Sequence, residues 1–433
     1  RSVAGWTAIA GALTLAASAA ALVKVTTGAA AFARRLAETE APENANLASS
    51  WAESWRGLGF WLTYFRDRAG LQRPQTAAYF TSPAMVLLTF VPGCVVLFTL
   101  WRSRWRPRLA FAAMMLVSLV VMVGSYGSDA TPYGRLLLAG YRNSAWLGGL
   151  RASYKAGAGL AMGVAALLAL GATSLPTSLK RRIRPHWLPT AATVGLIAAV
   201  SYPFWPGNLY SERHRVDGPI PSYWNDALAY LDANRDGTRV LVLPGSTRTA
   251  YRWGYVGDDI FDALLRRPHV VPSGVPLSNP EAANVVASLA DRAGTNRYVS
   301  GTLAPIARRL GIGAIVLRND LDWERMRLPR PSHFAALRTD PDLERVASFG
   351  RPGINVVTPG DKSLAVFAEA RLPPVEIYAV RDPIAPIRAQ RAAPSLLVSG
   401  DGEAWTHLAE RGLLSSAGAV SYTADMTANA IDR

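Results

Sequence analysis

The sequence predicts an α-helical membrane bundle of about five spans, followed by an extracytoplasmic α/β domain. Three observations carry that expectation. Apolar runs of Ala, Leu, Val, Met and Gly crowd the first half of the 433 residues. Near residue 205 the composition shifts to that of an ordinary globular protein, with Arg, Asp, Pro and Gly throughout. Short loops dense in Lys and Arg separate two pairs of the apolar runs, and such loops stay on the cytoplasmic side.

A helix needs roughly 20 mostly apolar residues to cross a bilayer. Residues 2–23, 84–101, 109–127, 156–175 and 188–205 come close. Several are rich in Ala and Gly, which suits close helix packing as well as lipid contact. Five such runs are too many for the core of a water-soluble domain. The loops RSRWRPR, 102–108, and KRRIRPHW, 180–187, contain no acid and are assigned to the cytoplasm. Residues 34–83, 128–155 and everything after Trp205 then lie outside. The expected location is the plasma membrane, multi-pass, with a large extracytoplasmic domain. Domain boundaries are expected at 1–205, 206–380 and 381–433. The last is the start of a further segment, because the sequence is expected to be a piece of a longer protein.

In the outer loop, Trp51, Trp55 and Phe60 approximate one face of a helix, with Ser49, Ser50 and Glu53 available to cap its start. An aromatic-rich amphipathic helix of this kind is expected along the bilayer surface. Glu38, Glu40, Glu43, Glu53, Asp67 and Asp129 are the outer carboxylates near the membrane. Any has the chemistry of a general base, and no spacing singles one out.

The segment AGYRNSAWLGGLRASYKAGAGL, 139–160, carries Arg142, Arg151 and Lys155 and no acid. Two readings compete: contact with lipid headgroups, or a phosphate-binding site at the outer leaflet. Arginine suits the second by its bidentate geometry and lysine as a point charge. Arg151 and Lys155 are four apart. A helix entering the fourth span would put both on one face, roughly 6 Å apart at Cβ. Arg142 would join from a preceding turn held by Gly148 and Gly149.

In the exported half, strands are expected at 238–246 and 312–322, and helices at 279–294 and 300–311. This alternation predicts a parallel α/β layer. Further strands are expected in GINVVTP, LAVFAEA and VEIYAV, then a strand, turn and helix over 395–414. Arg248, Tyr251, Arg252, Trp253, Asp258 and Asp259 gather at a strand end, where open α/β sheets bind ligands; a turn that docks onto the membrane half is the competing reading.

Several chemistries are excluded. Cys94 is the single cysteine, and the five histidines are dispersed without an HExxH pattern. No metal site built on His or Cys is expected, and no cofactor is predicted. No GxxxxGK[ST] or GxSxG pattern is present. The net charge of +15 is spread along the chain, with no basic block interleaved with aromatics, so nucleic-acid binding is not expected.

LVLPGSTRTAYRWGYVGDD, PHVVPSGVPLSNP and RRLGIGAIVLRNDLD together resemble the actinobacterial α-(1→3)-arabinofuranosyltransferase family, membrane glycosyltransferases of the GT-C class. Tyr251, Trp253, Gly254, Arg318, Asn319, Asp320 and Asp322 stand at the matching positions. GGLRASYKAG resembles the family's Leu-Arg-Asn-x-x-Lys-Phe segment. Arg151 and Lys155 match there, while Ala152 and Ala156 depart. The resemblance runs through most of residues 50–420.

It implies transfer of arabinofuranose from a decaprenyl-phosphate donor to cell-wall arabinan. Donor phosphate is then expected at Arg151, Lys155 and Arg142, and sugar at Tyr251, Arg252 and Trp253. GT-C enzymes usually place a catalytic carboxylate in the first outer loop of the full protein, expected upstream of Arg1, so no base is assigned here. The alternative is a non-catalytic membrane protein whose exported domain binds wall polysaccharide or a partner protein. Arg318, Asn319, Asp320 and Asp322 follow an apolar strand and are expected to be structural, closing a turn through their own backbone.

Overall fold

The computed structural model describes residues 42–173 and 187–423, apart from 149, 208, 217, 235, 247, 273–279, 296, 390–395 and 417. The first expected span, Glu38, Glu40, Gly149 and the loop 180–186 therefore lie outside the described residues. The chain forms two compact units. One runs up to Arg66 and from Gly70 to Leu209; the other takes Asp67–Ala69 and everything from Tyr210.

The first unit is helical. Its main helices are α1 (Pro83–Arg102), α2 (Arg108–Val123), α3 (Pro132–Asn143), α4 (Gly157–Thr173) and α5 (Leu188–Ser201). Ser82 starts α1 by accepting from the Met85 N–H, with Pro83 in the first turn. Among the described residues, two stretches, Pro83–Arg102 and Ser153–Ala172, are long and apolar enough to cross a bilayer. Arg108–Val123 and Leu188–Phe204 are shorter. Sixteen helical residues in α2 span about 24 Å, less than the roughly 30 Å of a hydrocarbon core. Val96, Met115, Leu119, Met122, Leu160, Leu167 and Leu168 pack into one core between α1, α2 and α4. Leu87, Trp101, Leu109, Leu116 and Met162 point outward and are exposed.

What ends α2 is a buried polar knot. Gly124 follows it at φ +56°, and a Cβ there would come within 2.2 Å of Asn46 Oδ1. Asn46 Nδ2 donates to Ser125 Oγ (3.2 Å) and to the Arg151 carbonyl (3.2 Å). The Ser49 hydroxyl donates to the Val123 carbonyl (2.9 Å), and that of Ser153 to the Met122 carbonyl (2.8 Å). Gly124→Ala brings both left-handed strain and overpacking. It should destabilise the protein by about 1–3 kcal/mol, read as a lower melting temperature of the detergent-purified protein.

The aromatic helix differs from expectation. Ser50 caps it by accepting from the Glu53 N–H, but it spans only Trp51–Trp55. Gly57, at φ +76°, turns the chain away before Phe60. The three aromatics therefore diverge. Trp51 meets Tyr133 (6.1 Å) and Phe60 meets Tyr154 (4.5 Å). The Trp55 indole fills the space that a side chain at Gly93 would need. No continuous interfacial face is left.

The second unit is built on a five-stranded sheet. In chain order its strands are β1 (Arg239–Leu243), the hairpin β2 (Thr249–Tyr251) and β3 (Gly254–Gly257), β4 (His269–Val270), β5 (Ile312–Arg318), β6 (Leu343–Phe349) and β7 (Val375–Val380). The sheet order is β4-β1-β5-β7-β6. β1 is parallel to β4 and β5, whereas β7 is antiparallel to β5 and β6. The expected parallel layer is present in β4-β1-β5, and the antiparallel β7 and its partner β6 make the whole sheet mixed.

Two cores sandwich it. Leu241, Leu243, Ile315 and Leu317 pack on one face with Val285 and Leu289 of α7 (Pro280–Ala293) and with Leu303 and Ile306 of α8 (Leu303–Arg309). Val240, Val242, Ala314 and Val316 pack on the other with Trp224, Leu228 and Leu231 of α6 (Ser222–Ala233). Burial on both faces is why β1 and β5 read as continuous apolar runs. A parallel pair, β8 (Leu396–Val398) with β9 (Val420–Tyr422), accompanies α9 (Glu403–Glu410).

Two expected strands are absent. Residues 353–359 form turns, with Asn355 at φ +57°. LAVFAEA holds a short helix, Ala365–Glu369, whose Glu369 is pulled inward by Arg330 (2.7 Å). Sequence reading missed the short strands β2, β3, β4 and β9 and the longer β6, an edge strand with exposed Glu344 and Arg345.

Candidate functional site

The Arg-Asn-Asp block leaves the end of β5 and is almost wholly buried. Its side chains enter three separate networks. Arg318 Nη1 meets Asp259 Oδ2 at 2.6 Å, and Nη2 donates to the Pro244 carbonyl. Asn319 donates to Glu376 Oε2 (3.0 Å) and accepts from Arg338 Nη2 (2.8 Å). Burial alone would push the Glu376 carboxyl up; Arg338, Asn319 and Tyr378 outweigh it and hold it below the usual range.

Asp320 is 0% exposed. Its Oδ2 accepts from Tyr223 Oη (2.8 Å), Trp224 Nε1 (2.8 Å) and Trp253 Nε1 (3.0 Å). Its Oδ1 is buried without a hydrogen-bond partner. Desolvation outweighs the three donors and raises this carboxyl to about 6. Asp322 caps the short helix Trp323–Met326 by accepting from the Arg325 N–H (3.3 Å). These contacts give the block a scaffolding role.

The scaffold presents a hairpin turn at a cavity of about 490 Å³ in the second unit. Tyr251 pairs with Gly254 across the turn, leaving Arg252 and Trp253 at its tip. Tyr251 is 3% exposed and stacks on Trp253 at 4.7 Å and 18°. All three residues expected at a sugar site, Tyr251, Arg252 and Trp253, line this cavity, Tyr251 lying beneath the indole. Arg252 reaches Asp322 (3.4 Å) and Glu324 (3.3 Å).

Beyond Tyr251, Arg252 and Trp253, sequence reading singled out Gly254 and Asp322 but missed the other charged residues of the lining. Arg68, Arg213, Arg215 and Arg325 join Arg252, so five guanidiniums face three carboxylates, Glu212, Asp322 and Glu324. Asp67 anchors one wall, pairing with Arg325 (2.7 Å) and with His214 Nε2 (3.1 Å). Burial outweighs the neighbouring Asp67 carboxylate and lowers the His214 pKa. The Arg325 guanidinium lies 4.7 Å from the Tyr255 ring centroid. The signal for this wall was the basic run SERHR, 211–215. Planar donors, carboxylate acceptors and an indole edge suit a polyhydroxylated ligand, which needs both donors and acceptors.

In the first unit, Arg151 and Lys155 do not share a helical face. Ser153 is held in the polar knot, so regular helix begins only at Gly157, after a 3-10 turn over Ser153–Ala156. Arg151 is buried ahead of that turn, and its Nη1 donates to the Gly148 carbonyl (3.1 Å). Lys155 is exposed, as is Arg142 in the last turn of α3. Of the carboxylates considered as general bases, Glu53 is committed to Arg56 (2.5 Å) and Tyr64, and Asp67 to the cavity wall. Among the described residues, no three His, Cys, Asp or Glu side chains gather as a metal site.

The chain thus combines a unit of long apolar helices with an α/β unit that holds a polar cavity. The chain belongs to the family described as alpha-(1->3)-arabinofuranosyltransferase, N-terminal GT-C domain, whose model matches residues 36–433. An alpha-(1->3)-arabinofuranosyltransferase of Mycobacterium tuberculosis is 28% identical over 423 residues, covering 89% of this chain and 29% of that protein. Its Mycolicibacterium smegmatis counterpart is 34% identical over 195 residues, covering 44% and 13%. The cryo-EM structure of arabinofuranosyltransferase AftD from Mycobacteria superposes with a TM-score of 0.55 at 25% identity, covering 87% of this chain and 25% of that one. The chain thus spans less than a third of the relatives it matches.

Proposed function

We propose that this chain is the donor-handling part of an arabinofuranosyltransferase. It takes arabinofuranose from a decaprenyl-phosphate carrier and passes it to cell-wall arabinan. The observation that carries this reading is the family match across both units. In it, five spans within 1–205 cross the plasma membrane, and 206–380 form an extracytoplasmic α/β domain followed by the start of another at 381–433.

The donor phosphate is bound at Lys155 and Arg142, with buried Arg151 bracing the loop between them. As the glycosidic bond breaks, negative charge grows on the departing phosphate. Cations fixed beside it stabilise that charge more than they stabilise the bound donor. The cavity around Arg252 and Trp253 holds the arabinan acceptor, with hydroxyls meeting guanidinium and carboxylate groups and a sugar face on the indole.

The test uses the full-length protein in membranes and a lipid-linked arabinose donor. Lys155 is exposed, so Lys155→Gln should fold and insert normally. A charged hydrogen bond is worth about 1.5–3 kcal/mol, so kcat/KM for the donor should fall about ten- to a hundred-fold. Wild-type donor kinetics in both Lys155→Gln and Arg142→Gln would remove the phosphate site from this loop.

A further inference from the structure

The second unit carries an apolar projection that its own core does not use. The short helix Ala365–Glu369 is fixed in rotation because Glu369, 0% exposed, is gripped by Arg330. That setting turns Leu364 (85% exposed) and Phe367 (71% exposed) outward. The turn at 351–357 lies against the end of this helix, with the Gly353 N–H donating to the Leu372 carbonyl (2.9 Å), and it adds exposed Ile354. Large apolar side chains held rigidly in water are costly, and clustered ones mark a contact surface.

The charges around the projection identify what covers it. The segment 350–371 contains two acids, Asp361 and Glu369, and Arg330 pairs with both (2.9 and 2.7 Å). The exposed charges that remain on the segment are Arg351, Lys362 and Arg371, all cationic. Apolar tips ringed by cations complement an anionic lipid surface, where the tips enter the acyl boundary and the cations meet headgroups. A saccharide would call for acceptors here, and a protein interface for charges of both signs.

We propose that the loop and helix of residues 351–371 dock this unit onto the surface of an anionic bilayer, inserting Leu364 and Phe367. The proposal rests on the reading that the apolar helices of the same chain span that bilayer; incorporation into lipid discs reports on the spans independently.

The experiment places an environment-sensitive fluorophore on single cysteines in a Cys94→Ser background of the full chain. Positions are Leu364→Cys, Phe367→Cys and, as an exposed control on β6, Val346→Cys. Discs contain phosphatidylcholine with or without phosphatidylglycerol, plus lipid bearing a nitroxide on the acyl chain. In anionic discs, probes at 364 and 367 should shift to the blue and be quenched, and the probe at 346 should not. Each cation near an anionic surface contributes a factor of roughly five, so Lys362→Gln and Arg371→Gln should each lower the docking equilibrium by about that factor. Equal quenching at all three positions overturns the proposal. So does protection of 364 and 367 from water without acyl-chain quenching, which would put protein on this face.

Discussion

Arg318→Met is expected to lower the stability of the second unit by about 3–5 kcal/mol, because it leaves a buried anion without its cation. Arg318 and Asp259 are both buried and stand 2.6 Å apart, and the Pro244 carbonyl loses its donor in the same change. Methionine fills similar volume, so the loss reads the charge rather than a cavity. For a unit of this size the melting temperature should drop by roughly 6–20 °C. Transfer activity should fall in step with the folded fraction. A variant with wild-type melting and no transfer would move Arg318 into the chemistry.

Asp320→Ala is expected to be comparably severe. It strips the acceptor from Tyr223, Trp224 and Trp253 at once. Each orphaned buried donor costs about 1–3 kcal/mol. Asp320→Asn keeps an acceptor oxygen and isolates the charge. Because the folded carboxyl is raised to about 6, the native state binds its proton more tightly than the unfolded chain does. Its stabilising contribution is complete below the unfolded value and is lost as pH rises through about 6.

The wild type should therefore lose stability relative to Asp320→Asn between about pH 4 and 6, on the order of 3 kcal/mol in total. Glu369 and Glu376 have the opposite sign. Their carboxyls are held low, so their contribution is present above about 4.5 and fades as pH falls below it. Denaturant midpoints of the two proteins across that range measure the difference. Parallel curves would show that Asp320 titrates alike in the folded and unfolded states.

Local pattern carried much of this protein. The two apolar strands RVLVL and IGAIVLR were legible because both of their faces are buried. The Arg-Asn-Asp block was legible as the structural end of such a strand. The apolar runs marked α1 and α4, and the acid-free stretch 139–160 marked a cationic loop by composition alone.

Tertiary structure decided the rest, where the deciding contact came from far along the chain. LAVFAEA reads as a short apolar strand, yet its Ala, Leu and Glu residues favour helix, and Ala365–Glu369 forms one with Glu369 turned in to Arg330. β6 hides its strand character because an edge strand exposes its charges. Arg151 and Lys155 have the spacing of a shared helical face, but Ser153, bound to Asn46 and Met122, delays the helix and separates their environments. The cavity joins residues near 68, 212, 252 and 324, four short segments with no common period. Periodicity reports how a residue relates to its own element, and only packing between elements fixes which distant side chains come within bonding distance.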